Sequence, residues 1–178
     1  YVKILIQMRE EAQNAGLWLP HMPKEWGGMG LGHVQLAMVQ AEAAKASYGP
    51  WVLNCQAPDE GNMHTLLHWA TDEQKEKYLR PLCEGRVMSC FAMTEPEVAG
   101  SDPTLIQTRA ARDGDDWAAN GHKWFISNAR RASFAILIAR TEDNPDPPQA
   151  GNTGFIVDIP SEGWERVREV ETMHGATG

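Results

Sequence analysis

Apolar residues recur at helical spacing through the first half of the chain. Ile4, Leu5, Met8, Ala12 and Ala15 predict a first helix closed by Gly16. Val34, Ala37, Met38, Ala41 and Ala44 fall at i, i+3, i+4, i+7 and i+10, one face of a second. Met63, Leu66, Leu67 and Ala70 predict a third. Thr71-Asp72-Glu73-Gln74 has the spacing of a capping box and opens a fourth, through Tyr78 and Leu79 towards Cys83. Near residue 87 the pattern turns to β. Val87–Thr94 is a short apolar run, and Thr104–Arg112 partly alternates. Trp117–Asn120 leads through Asn120-Gly121 into His122–Ser127, which predicts a hairpin turning on the Asn-Gly pair. Phe134–Arg140, Gly154–Ile159 and Trp164–Val170 predict three more strands, with a turn-rich loop over Asn144–Asn152. The expected fold class is α+β, an all-helical domain over 1–87 followed by a small β-barrel or sandwich over 88–178.

Composition fits a folded chain. Of 178 residues 42% are hydrophobic, seven are Trp and eight Met, too apolar for disorder and enough for one sizeable core or two small ones. The chain opens on Tyr1 rather than Met and closes on Met173-His174-Gly175-Ala176-Thr177-Gly178 without a recognisable closing element, so it reads as a piece of a longer protein. With 24 acidic against 16 basic residues the net charge is −8, which argues against a nucleic-acid partner. No apolar run nears the roughly 20 residues that span a bilayer. Cys55, Cys83 and Cys90 are odd in number and lack C-x-x-C spacing, as expected of reduced thiols in an intracellular protein.

Candidate chemistry is sparse outside one region. His64 and His68 share a helix face, but Thr65 stands where a zinc protease carries its Glu and no third ligand is suggested, so no metal site is expected. Gly27-Gly28-Met29-Gly30-Leu31-Gly32 follows Pro and Trp rather than a strand and fits a tight inter-helix loop better than a dinucleotide cradle. The informative stretch is Phe91-Ala92-Met93-Thr94-Glu95-Pro96-Glu97-Val98-Ala99-Gly100-Ser101-Asp102. It leaves a strand, turns at Pro96 and offers hydroxyls at Thr94 and Ser101, with Gly100 where backbone must pass close to something. Such donors suit a pyrophosphate or a flavin's polar edge, and equally an ordinary strand exit with two capped hydroxyls.

TEPEVAGSD, followed about twenty residues later by NGHKWFISNA, resembles the paired flavin motifs of the acyl-CoA dehydrogenase family. PKEWGGMGLG, APDEGN, TDEQKEKYLRPLCEGR and TGFIVDIPSEGWERV resemble collinear segments of the same family, so the likeness runs through nearly the whole chain. TEPEVAGSD, one residue longer than the commoner TEPGAGSD, together with NCQAPDEGN is most similar to the long-chain branch, fused in some organisms to a kinase-like domain. The resemblance implies the N-terminal helical and middle β domains of that fold, without its C-terminal helical bundle. It implies FAD as cofactor. Phe91, Ala92, Met93 and Thr94 would line the flavin, with the Met93 backbone and the Thr94 hydroxyl at the isoalloxazine edge. Gly100 and Ser101 would lie near the FAD phosphates, Ser101 also bordering the acyl-CoA. Phe125, Ile126 and Ser127 would pack on one side of the ring system, the Ser127 hydroxyl near a ring nitrogen. Most relatives have Trp at the position of Phe125, whereas here Trp124 precedes it. On the expected strand the two side chains face opposite ways, so Trp124 is no simple substitute.

The implied reaction is α,β-dehydrogenation of a fatty acyl-CoA, the β-hydride passing to flavin and the α-proton to a Glu expected beyond Gly178, with no catalytic residue in this chain. An acyl-CoA oxidase, a nitroalkane oxidase or flavin monooxygenase relative, and a non-catalytic acyl-CoA-binding remnant are the alternatives. Implied partners are acyl-CoA, an electron-transfer flavoprotein or similar acceptor, and further copies in a homodimer or homotetramer. The implied location is cytoplasmic in a bacterium and mitochondrial or peroxisomal in a eukaryote.

Overall fold

The computed structural model describes residues 2–143, 145–172 and 175–177. The chain divides into two compact units, Tyr1–Val87 and Met88–Gly178.

The first unit is helical: α1 (Val2–Asn14), α2 (His33–Ala43), α3 (Gly49–Val52), α4 (Asp59–Trp69), then α5 (Asp72–Gln74) passing through a π-helical stretch (Lys75–Leu79) into α6 (Arg80–Cys83). Gly16, at φ 70°, ends α1 in the left-handed conformation that suits glycine. The capping box forms as its spacing predicts: Gln74 N–H donates to Thr71 Oγ1 at 3.3 Å and Thr71 N–H to Gln74 Oε1 at 3.0 Å. Leu19, Met22, Met63, Leu66, Leu79 and Leu82 are buried at 2% exposure or less. A polar hub crosses this core. The Arg9 guanidinium lies over the rings of Trp18 and Trp51 and donates to the Trp51 carbonyl, while Trp18 Nε1 donates to the Cys83 carbonyl at 2.9 Å. The glycine-rich stretch is a folded loop, its turns closed by Met29 N–H to Leu19 O and Gly30 N–H to Met22 O. A Cβ on Gly28 would sit 2.1 Å from the Met22 carbonyl oxygen, so only glycine passes there. α2 forms where its periodicity predicts, yet it has no buried residue, and its apolar positions Val34 and Met38 are 73% and 69% exposed.

The second unit is a mixed sheet of β1 (Ser89–Ala92), β2 (Arg109–Asp113), β3 (Asp116–Asn120), β4 (Phe134–Arg140) and β5 (Asn152–Asp158), with a separate ribbon of β6 (Val170–Thr172) and β7 (Gly175–Thr177). The long central strand β4 pairs parallel with β1, Ser89 opposite Phe134, and antiparallel with β5, Phe134 opposite Asp158. Cys90, Ala92, Ile126, Ala132 and Ala135 form its core cluster. A helical unit followed by a β unit is the fold class expected.

Three strand expectations fail. The hairpin turns at Gly114-Asp115, not at Asn120-Gly121: Asp113 faces Asp116, and Gly114 sits at φ 62°, as the first position of a two-residue loop needs. Asn120-Gly121 serves a close approach instead, since a Cβ on Gly121 would lie 2.1 Å from Thr108 Oγ1. Residues 122–127 are therefore not a strand. Thr104–Arg112 yields strand only from Arg109, because Pro103–Leu105 is a 3-10 turn. Trp164–Val170 finds no ladder partner among the described residues until Val170, and 165–168 are exposed coil. Of the expected loop, Asn144 lies outside the described residues.

Candidate functional site

β1 carries the TEPEVAGSD segment out of the sheet. Strand alternation sends the Cys90 and Ala92 side chains into the core cluster and leaves Phe91 and Met93 half-buried on the other side, so Ala92 can offer a ligand only its backbone. Beyond the strand end, the chain is tied to the NGHKWFISNA segment. Trp124 N–H donates to the Thr94 carbonyl at 3.1 Å, and the Thr94 hydroxyl donates to the Trp124 carbonyl at 2.6 Å.

Beneath these ties sits an ion pair. Glu95 is 3% exposed and accepts from Gln107 N–H at 2.7 Å, from Thr108 N–H at 2.9 Å and from the Thr108 hydroxyl. Lys123 Nζ donates to Glu95 Oε1 and to the Met93 carbonyl, both at 2.8 Å, with only 10% of its side chain exposed. Burial alone would raise the Glu95 carboxyl. The bonds from Lys123, Thr108 and the two backbone N–H groups outweigh burial and hold it down to about 2. Burial lowers Lys123, and Glu95 counters part of that. Its partners therefore favour the ionised form of Glu95.

The second segment is strained. Phe125, at φ 52°, adopts the left-handed conformation that a bulky side chain avoids, whereas Asn128, at φ 69°, is a residue type that tolerates it. Ile126, 5% exposed, is anchored in the core cluster. Phe125 is turned out at 46% exposure, its ring edge-on to Trp124 at 4.8 Å. The strand premise behind the expected opposition of Trp124 and Phe125 thus fails: the backbone there is a left-handed bend, and the two rings touch. Ser127 is exposed and opens a turn closed by Ala129 N–H to the Ile126 carbonyl. The N–H groups of Thr94 and Ser127 make no hydrogen bond among the described residues.

Gly100 and Ser101 are exposed on the returning loop. A Cβ on Gly100 would press on Thr94 Cγ2 at 3.2 Å, so the glycine lets this loop fold back over Thr94. Asp102 is committed locally, accepting from Thr104 N–H and its hydroxyl. Of the residues expected to bind cofactor, Gly100 lies over Thr94, the chain neighbour of Met93, and the Thr94–Trp124 bonds place Phe125 and Ile126 near them. Lys123 was not among the expected site residues. Its signal is a lone cation in the apolar run Trp124-Phe125-Ile126, opposite a Glu that the first motif leaves without a partner.

His64 and His68 stack at 6.4 Å, and His21 packs at 5.2 Å from His64, but no group of three metal-binding side chains is suitably placed among the described residues. Burial, then His64, lowers His21 to about 4. Cys55, Cys83 and Cys90 are free and buried. Among the described residues no helix is long and apolar enough to cross a membrane.

Comparison with known proteins follows the same division. Residues 5–86 match the family model described as acyl-CoA dehydrogenase, N-terminal domain, and 90–178 the one described as acyl-CoA dehydrogenase, middle domain. The chain is 36% identical over 172 residues to acyl-CoA dehydrogenase family member 11 of Homo sapiens, covering 96% of this chain and 22% of that protein. It is 39% identical over 143 residues to the acyl-CoA dehydrogenase FadE2 of Mycobacterium tuberculosis, covering 80% and 35%. The chain thus spans between about a fifth and a third of these relatives. A solved acyl-CoA dehydrogenase from Mycobacterium abscessus superposes with a TM-score of 0.91 at 32% identity over 97% of this chain and 44% of that one. A glutaryl-CoA dehydrogenase from Mycobacterium smegmatis, solved in complex with FADH2, gives 0.72 at 28% identity over 96% and 42%.

Proposed function

The chain belongs to the acyl-CoA dehydrogenase family, and from that premise we propose that it forms the FAD cradle of an enzyme that removes hydrogen across the α,β bond of a fatty acyl-CoA. The observation that carries this is the pair of tied segments, which hold the half-exposed Phe125 ring on a strained bend beside the unpaired N–H groups of Thr94 and Ser127. A non-glycine residue kept at a left-handed φ costs free energy, and such strain concentrates at binding sites. An aromatic face and preset backbone donors fit a flavin's apolar ring and polar edge. Gly100 and Ser101, both exposed on the returning loop, fit a pyrophosphate passing close to backbone.

In this reading Met93, Thr94, Phe125, Ile126 and Ser127 hold the flavin, with Phe91 and the Ala92 backbone behind them and Gly100 and Ser101 at its phosphates; Ser101 also borders the acyl-CoA. Bound FAD would supply the hydride acceptor. The chain's own residues bind, orient and exclude water. They do not supply the α-proton's base: Glu95 is locked in its four bonds, Asp102 caps Thr104, and Asp113, Asp115 and Asp116 line an exposed hairpin. The base is assigned to a Glu beyond Gly178. Electrons then leave to an electron-transfer flavoprotein or similar acceptor, from a homodimer or homotetramer. The test is FAD titration of the purified protein that carries this chain, followed by acyl-CoA oxidation with an artificial electron acceptor. Flavin uptake with turnover supports the reading, and flavin uptake with oxygen as sole acceptor would assign an oxidase instead.

A further inference from the structure

Resting on the flavin reading, we propose that Glu95 and Lys123 are a positioning pair for cofactor binding, coupling the two motif segments through the Met93 carbonyl. Lys123 makes two charge-assisted bonds. One goes to Glu95, whose other acceptor sites hold the Gln107 and Thr108 N–H groups. The other goes to the oxygen of the Met93–Thr94 peptide, whose N–H is the unpaired Thr94 donor. Hydrogen bonds polarise one another along a chain, so a cation at the carbonyl end of this peptide strengthens the donor at its other end. The same ammonium sits in sequence directly before Trp124 and the strained Phe125, so its tether also sets where that bend stands relative to Thr94. Neither partner points into solvent, at 10% and 3% side-chain exposure, which separates this pair from the exposed pairs Lys45–Glu42 and Arg86–Glu84. A buried pair contributes little to net stability compared with an apolar replacement. What it does supply here is one fixed spacing of the two segments and a charge behind one donor.

The test uses the protein that carries this chain, as wild type, Lys123→Met, Glu95→Gln/Lys123→Met and, as a control in the helical unit, Leu79→Ala. The double variant removes both charges together and keeps one amide oxygen for the Thr108 N–H, so it avoids the stranded carboxylate of the single variant and loses only the Gln107 bond. Each protein is unfolded in urea without cofactor, titrated with FAD, and its bound flavin's midpoint potential is measured. In the double variant FAD affinity falls at least tenfold and the midpoint potential shifts down, while the protein still unfolds in one cooperative urea transition and loses no more stability than Leu79→Ala. Leu79→Ala loses stability while its flavin potential stays at the wild-type value. A folded double variant with wild-type FAD affinity and potential would overturn the pair's role while leaving the flavin reading intact. A wild type that takes up no FAD would overturn both, so the two failures are told apart.

Discussion

Phe125 should show a separation of stability from cofactor binding, because its backbone is strained and its ring is half exposed. Replacing it by Gly removes the left-handed penalty, about 1–2 kcal/mol for a residue with a Cβ. Against that stand roughly 0.5–1 kcal/mol of added chain entropy and about 0.5–1.5 kcal/mol for the lost edge contact with Trp124. These terms nearly cancel, so Phe125→Gly should leave cofactor-free stability within about 1 kcal/mol of wild type in urea unfolding. Binding should suffer more. With the residue 46% exposed, and an aromatic side chain burying roughly 150–250 Å² in all, a ligand can cover at most on the order of 70–110 Å². At about 25 cal/mol per Å² that is a ceiling of roughly 2–3 kcal/mol. Partial coverage leaves about 1–2 kcal/mol, or a 5- to 30-fold rise in the Kd for FAD. Phe125→Ala keeps the strain and loses the ring, so it should bind FAD as weakly as the Gly variant while being about 1 kcal/mol less stable. Phe125→Trp should hold FAD at least as well as wild type. Unchanged FAD affinity in the Gly and Ala variants would show that the ring faces something else, and a Gly variant less stable than the Ala variant would refute the strain.

Other consequences are independent of that one. Glu95→Ala strands the Lys123 ammonium and two backbone N–H groups and should cost about 3–5 kcal/mol in urea unfolding. Glu95 is held below its ordinary value, so its contribution is complete above pH 4.5 and lost as pH falls towards about 2; Glu95→Gln should flatten the unfolding profile over that window. His21 is a base lowered from 6.5 to about 4, so the unfolded chain takes up the proton first. Stability should fall by up to about 3 kcal/mol as pH drops from 6.5 to 4, and His21→Leu should remove that slope. Burial raises Cys83 to about 12 and Cys55 to about 11; a thiol reagent at pH 8 should modify these two only after denaturant is added. Gly28→Ala should cost about 1–3 kcal/mol, since its Cβ meets a backbone oxygen that cannot step aside.

Local signals in the sequence translated well into structure where the deciding interaction was local. The Thr71–Gln74 capping box involves residues three apart, and its two bonds form as the spacing predicts. Gly16 ends α1 because its own φ decides that. The Asn120-Gly121 hairpin failed because a neighbour distant in sequence determines why glycine is needed there. Thr108 leaves no room for a Cβ on Gly121, while Gly114, a plainer Asp-Gly, makes the turn. Periodicity placed α2 but could not say whether its apolar face is covered. At the site, the TEPEVAGSD and NGHKWFISNA segments stood out by resemblance. The Glu95–Lys123 bond that couples them spans 28 positions, and single-sequence patterns carry no information at that range. The left-handed φ of Phe125 was likewise hidden, since an aromatic residue is among the last that local propensity would place there.

The central claim is that these two segments form an FAD cradle, and the direct measurement is the cofactor itself. Protein carrying this chain, purified and precipitated with acid, should release a yellow cofactor that chromatographs as FAD rather than FMN, and the stripped protein should regain it on titration. Colourless protein that takes up no FAD would contradict the account.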